Sequence, residues 1–376
     1  MLLWRTSVPS LDLGGFNPHR YFTAREISRA SSYSEGELVL WLAHTAATLS
    51  VLIFLIRRVP GWAAGIGLKR IGRAIIVGMV MLVALWAVSL PFSFAGLWWQ
   101  HHWGLGPFDV AAWLLSQRYG LIANVGFSML TIVMVVGLGA RFQRYWWILG
   151  APIFIAIAAL AFFTSGWLGA LGNHPIRRPA LRAQIARIEQ AEHVKAPVSV
   201  DSVHEFTNQV NAFSAGFGPG TRVVIWDTLL DGRFTDREVD VVIAHEFGHV
   251  ASRHMLKQLA WFALFAFPLA FFVAEATRRR GGIQDPANLP VALLAFTVAS
   301  LAIAPAQNLI SRRYEAEADW RALQATHDPA SARKLFQQFA RTSLEEPNPG
   351  VVDYLWLENH PTLMQRIAMV ERYKAR

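Results

Sequence analysis

The chain has 376 residues, of which 53% are hydrophobic and only 16% charged, with a formal charge of +9 and no cysteine. Soluble domains carry about 25% charged residues, so composition argues against a fold surrounded wholly by water. The absence of cysteine excludes a disulfide framework and any thiolate metal site.

Residues 1–36 read as a polar leader without a cleavable signal peptide, ending in an amphipathic piece from Thr23 to about Tyr33. Five runs then lack Asp, Glu, Lys and Arg over 19 or more residues: 38–56, 74–97, 119–140, 145–171 and 289–310. A bilayer core needs about 20 apolar residues of helix, so each predicts a membrane span. A sixth run, 259–274, has 16 residues with five Phe and one Trp, and reads as a span beginning near Gln258. Positive residues flank these runs (Arg57, Arg58, Lys69, Arg70, Arg73; Arg278, Arg279, Arg280; Arg312, Arg313). Anionic lipid headgroups, and not nucleic acid, are therefore the expected partner of the charge.

Between the runs 145–171 and 259–274 the chain turns soluble in character, from 172 to about 257. Residues 176–193 have helical spacing of Leu181, Ile185 and Ile188. The β-branched runs 198–203 and 221–226, with Gly216-Phe217-Gly218-Pro219-Gly220 as a turn, predict a small antiparallel β unit. Asn211, Ala212 and Phe213 precede that turn and read as an edge strand able to pair with an extended peptide substrate. Thr235, followed by Asp236 and Glu238, reads as the N-cap of the next helix. The expected organisation is a leader (1–36), a four-span membrane domain (37–171) and a second domain (172–376) interrupted by a two-span hairpin (258–310).

That helix carries His245-Glu246-Phe247-Gly248-His249, an HExxH pentapeptide. Residues four apart lie on one helix face, so both imidazoles can reach one ion, while Glu246 stays free to act as a base on water. This pattern reads as a zinc metalloprotease helix. Glu315 follows 66 residues after His249, with Glu317 on the same helix as a competing third ligand. Two imidazoles and a carboxylate, with a fourth position left for water, is a catalytic and not a structural zinc arrangement. Asp319, one turn past Glu315, is placed to accept the spare N–H of a ligand histidine. His254 lies off the ligand face, as a supporting or a surface residue. His360, held extended by Pro361, is a candidate donor to the oxyanion of a tetrahedral intermediate. His249 lies 10 residues before the run 259–274, and Glu315 lies five residues after the run 289–310. The candidate site therefore belongs near the bilayer surface, which suits a membrane-associated peptide or protein substrate.

These residues resemble the zinc-dependent CaaX prenyl protease family and its bacterial relatives, including the HtpX-type membrane proteases. The likeness runs through Tyr21-Phe22-Thr23-Ala24-Arg25-Glu26-Ile27, Leu90-Pro91-Phe92, Gly104-Leu105-Gly106, Asn211-Ala212-Phe213 and Val224-Ile225-Trp226-Asp227. It continues through the HExxH with His254, Ser311-Arg312 to Glu315 and Asp319, and His360-Pro361 with Arg366. The resemblance implies a mainly α, polytopic membrane protein with about six spans and a gluzincin-like zinc protease domain. It implies one Zn²⁺ held by His245, His249 and Glu315 in preference to Glu317, and roles for Asp319, His360, Arg366 and Asn211. It also implies a plasma-membrane enzyme with its site facing the cytoplasm. Two departures stand out: Gln100-His101-His102-Trp103 replaces the family's acidic residue before its Gly-Phe-Asn motif, and the family's usual first span ahead of Tyr21 is missing. Two other classes remain open. A non-catalytic receptor or scaffold is opposed by the complete ligand-and-base set. A transporter would need ionisable groups at mid-membrane, where only His44 stands.

Overall fold

A computed structural model describes residues 2–9, 14 and 17–374. Helix α1 (Ala24–Ala63) opens with a capping box: the Thr23 hydroxyl accepts from the Glu26 N–H, and the Glu26 carboxylate accepts from the Thr23 N–H at 2.8 Å. It runs unbroken for 40 residues, so the amphipathic piece and the first apolar run form one helix. Helices α2 (Arg70–His102), α3 (Val110–Phe142) and α4 (Trp146–Gly169) follow.

Among the described residues, five stretches are long and apolar enough to cross a membrane: Ala24–Ala63, Arg70–His102, Val125–Gly169, His254–Arg278 and Pro286–Thr326. The third stretch holds two of the six predicted runs, and it reverses. Gln143 takes φ 49° between α3 and α4, and a Cβ on Gly150 would lie 3.9 Å from Leu138 Cδ1. Residues 12 apart on a straight helix would be about 18 Å apart, so the two arms fold back on each other. Small residues permit close helix approach in this core: a Cβ on Gly78 would meet Ile132 Cδ1 at 2.9 Å.

The remaining elements are β1 (His174–Pro175), α5 (Pro179–Glu192), β2 (Val198–Asp201), β3 (Ala212–Ala215), β4 (Arg222–Trp226), α6 (Asp236–Ala251), α7 (His254–Arg278), α8 (Leu289–Thr326), α9 (Pro329–Thr342) and α10 (Leu363–Lys374). The sheet order is β1-β2-β4-β3, and it is mixed where an antiparallel unit was expected. The glycine-rich turn joins β3 to β4, not β2 to β4. Because β3 doubles back, β4 comes to run parallel to β2, with Val200 beside Ile225.

Two hydrophobic cores result. One gathers Leu55, Val59, Val77, Val136, Trp146 and Leu289 from the long apolar helices. The other packs the sheet, α5, α6, α9 and α10 around Val223, Ile225, Ile243, Phe247, Leu335 and Ile367. Helix α8 belongs to both. Ala292 and Ala295 sit in the first core, Trp320 and Leu323 in the second. A single 38-residue helix thus couples the apolar bundle to the soluble lobe, and residues 315–319 lie just past the junction.

Candidate active site

Helix α6 begins with a second capping box, Thr235 with Glu238, which fixes the register that carries His245, Glu246 and His249 inward. Its approach to α8 depends on Gly248. A Cβ there would lie 3.2 Å from Ala318 Cα and O, tighter than ordinary contact. That closeness brings Glu315 against both imidazoles. His245 Nε2 lies 3.1 Å and His249 Nε2 3.3 Å from Glu315 Oε2, and the two Nε2 atoms are 3.0 Å apart. All three ligand atoms fall within 4.8 Å of one another.

The surrounding hydrogen bonds aim these atoms. His245 Nδ1 is 2.9 Å from Asp319 Oδ1, and Arg366 forks onto the same carboxylate through Nε at 2.8 Å and a terminal nitrogen at 2.7 Å. A carboxylate only accepts, so His245 carries its proton on Nδ1 and turns the Nε2 lone pair toward His249 and Glu315. Burial alone favours the neutral imidazole, yet the Asp319 and Glu315 carboxylates outweigh it and raise His245 to about 10 in the metal-free chain. At that value Nε2 holds a proton against Glu315, and once a cation displaces it the converging lone pairs and the carboxylate form an electron-rich cluster that satisfies the cation. Two nitrogens and one oxygen, with no sulfur, suit zinc in a catalytic setting. The residues therefore fit the metal.

Of the two competing carboxylates, Glu315 faces the imidazoles. Glu317 is turned away, with Oε2 3.0 Å from His254 Nε2. His254 is 2% exposed, and its Nδ1 lies 2.9 Å from His249 Nδ1, so it is neither a surface residue nor on the ligand side. His360 Nε2 lies 3.2 Å from Glu315 Oε2 with a side chain 44% exposed, against about 10% for His245 and Glu315. It stands at the open side of the cluster. Glu246 is buried beside His245 on α6.

Strand β3 is the outer edge of the sheet and packs on α6. The Trp226 N–H donates to Asn211 O at 3.0 Å, and Phe213 pairs with Val224. In an antiparallel ladder this turns the N–H and C=O of Ala212 and Ser214 outward, away from β4. The Phe213 ring points at the end of α4, within 3.3 Å of where a Gly169 Cβ would be.

Two further contributors fasten the site from a distance. Arg312, buried on α8, donates to the Tyr354 and Glu358 carbonyls at 2.5 Å and lies over the Tyr354 ring at 4.0 Å. It fastens the turn that delivers His360. Residues 3–8 lie along α8 through bonds to Arg313, Tyr314 and Glu317. No local pattern in the sequence pairs residues 3–8 with the site, or Arg312 with the turn before His360.

Comparison with known proteins agrees with this geometry. Residues 175–374 match peptidase family M48. The "Uncharacterized metalloprotease YhfN" of Bacillus subtilis is 27% identical over 313 residues, covering 79% of this chain and 73% of that protein. A "Protease HtpX homolog" of Acidiphilium cryptum is 28% identical, covering 53% of this chain and 72% of the relative. "CAAX prenyl protease 1" of Saccharomyces cerevisiae is 27% identical over 43% of this chain and 40% of its own. The crystal structure of S. mikatae Ste24p superposes with a TM-score of 0.70 at 17% identity, covering 98% of this chain and 92% of that one, which shows a shared fold. The apolar helices and the membrane protease relatives make this an integral membrane protein, and its matched span and metal-ligand geometry place the chain in peptidase family M48.

Proposed function

We propose that this metalloprotease is a zinc endopeptidase that hydrolyses peptide bonds of protein or peptide substrates held at the membrane surface. The observation that carries the reading is the convergence of His245, His249 and Glu315 a few residues beyond the apolar part of α8. One Zn²⁺ per chain would be held by these three side chains. When bound, the ion acts as a Lewis acid that polarises the scissile carbonyl and acidifies water.

The chain's own groups do the rest. Glu246 takes the proton of the attacking water and returns it to the leaving amine. His360, at the open side, donates to the carbonyl oxygen as negative charge develops. The outward N–H and C=O groups of Ala212 and Ser214 hold the substrate backbone as an added strand, with Asn211 at its head. Asp319, Arg366 and His254 aim the ligands. Placement at the end of the membrane helices favours membrane-anchored substrates, and the likeness to CaaX prenyl proteases favours CaaX-type proteins among them and a site facing the cytoplasm from the plasma membrane.

Glu246→Gln tests the mechanism on the purified chain with a membrane-inserted fluorogenic peptide. The variant is expected to keep its zinc and lose about 10²–10⁴-fold in turnover, the range for removing a general base. An active variant would remove Glu246 from the chemistry.

A further inference from the structure

The two ligand imidazoles are supported differently. On the Nδ1 side His245 reaches a carboxylate directly, whereas His249 reaches one only through a second imidazole. The Glu317 carboxylate accepts from His254 Nε2–H at 3.0 Å, which leaves His254 Nδ1 as an acceptor in the neutral ring. His249 must then donate from Nδ1 across 2.9 Å, and its Nε2 lone pair is free to face His245 and Glu315. The orientation of His249 thus depends on where Glu317 and His254 are held.

The N-terminal segment holds both. The Ser7 backbone N–H donates to Glu317 Oε1 at 2.6 Å, opposite the oxygen that meets His254 and Lys257 Nζ. The Leu3 carbonyl accepts from the Tyr314 hydroxyl at 2.6 Å, and the Tyr314 ring stacks on His254 at 4.6 Å and 14°. Between them, Arg313 donates to the Trp4 carbonyl at 2.6 Å and lies 4.7 Å over its ring. Glu317 fixes His254 through its ring nitrogen and Tyr314 fixes it through its face, and one short strap touches both.

We propose that residues 3–8 are a positioning element of the metal site, acting on His249 through Ser7 N–H, Glu317 and His254, with Leu3 and Tyr314 as a second tether. This rests on the zinc reading above. Zinc alone is the probe, titrated into the full-length chain against a competing chromogenic chelator. Ser7→Pro deletes the N–H together with the hydroxyl that also reaches Glu317, and Glu317→Ala breaks the relay at its middle. Each is expected to weaken zinc binding about tenfold or more, the range seen when a group behind a metal ligand is lost. Ser7→Ala keeps the N–H and loses only the hydroxyl contact to Glu317, so it should weaken zinc binding less than Ser7→Pro does. Excess zinc should restore hydrolysis in Ser7→Pro, which a general packing defect would not allow. Unchanged zinc affinity in Ser7→Pro or Glu317→Ala, or activity that excess zinc fails to restore, would overturn the relay. An unaltered chain that binds no zinc would remove the metal-site reading itself, and this inference with it.

Discussion

At the scale of single residues, the site is a set of lone pairs given direction by their neighbours. Asp319 is the clearest case, because its carboxylate takes both the His245 N–H and the Arg366 fork while staying 4% exposed. Asp319→Asn keeps the shape but offers an amide of either sense to His245 and removes the carboxylate that the Arg366 fork meets. Zinc affinity should fall 10–100-fold, read by chelator competition. An unchanged affinity would mean that the imidazole is oriented by packing alone. The ligand pair His245 and His249 was legible from spacing, since 3.6 residues per turn put i and i+4 on one face. The choice between Glu315 and Glu317 was not legible from spacing, and only the resemblance favoured Glu315, because both lie on one helix and the packing of α6 against α8 decides which faces inward.

At the scale of elements, the α6–α8 contact is the critical joint. Gly248→Ala would force a methyl into Ala318 at 3.2 Å and Arg321 Cβ at 3.3 Å. Overpacking of this kind costs about 1–3 kcal/mol and should shift α6 outward, so both Tm and zinc affinity fall. Full retention of both would show the joint to be slack. Helix α6 also carries a group that works against the fold. Burial raises the Asp240 carboxyl to about 6, and its Oδ1 has no hydrogen-bond partner among the described residues. Because the folded value lies above the unfolded one near 3.9, its favourable contribution is complete below about pH 4 and is lost as pH rises through 6. Asp240→Asn should therefore gain about 1–2 kcal/mol over the unaltered chain at pH 8, after allowance for screening by water, and nothing near pH 4. Denaturation midpoints at the two pH values check this, and a gain equal at both would contradict it. The sheet shows the limit of local patterning. Its strands and turn follow from Val198, Val200, the 211–213 edge strand and the 222–226 run, but the parallel pairing of β2 with β4 follows only from β3 coming between them in the chain.

At the scale of the whole molecule, the apolar helices were readable because a charge-free run of bilayer length is seldom anything but a membrane helix. The reversal at Gln143 was marked only by Arg141 and Arg144 between two such runs. The partners of the long-range fastenings were invisible for a physical reason: Arg312 grips the backbone carbonyls of Tyr354 and Glu358, and the residue 3–8 strap offers backbone groups, which every residue carries, so side-chain patterning holds no trace of where they attach. What unites the molecule is α8, which leaves the apolar core and places Glu315 beside the HExxH helix. Metal analysis of the purified full-length chain beside Glu315→Gln tests this most directly. The account predicts about one zinc per chain, lost or bound far more weakly in the variant. A chain without zinc after metal supplementation, or a variant that holds the ion as firmly as its parent, would contradict it.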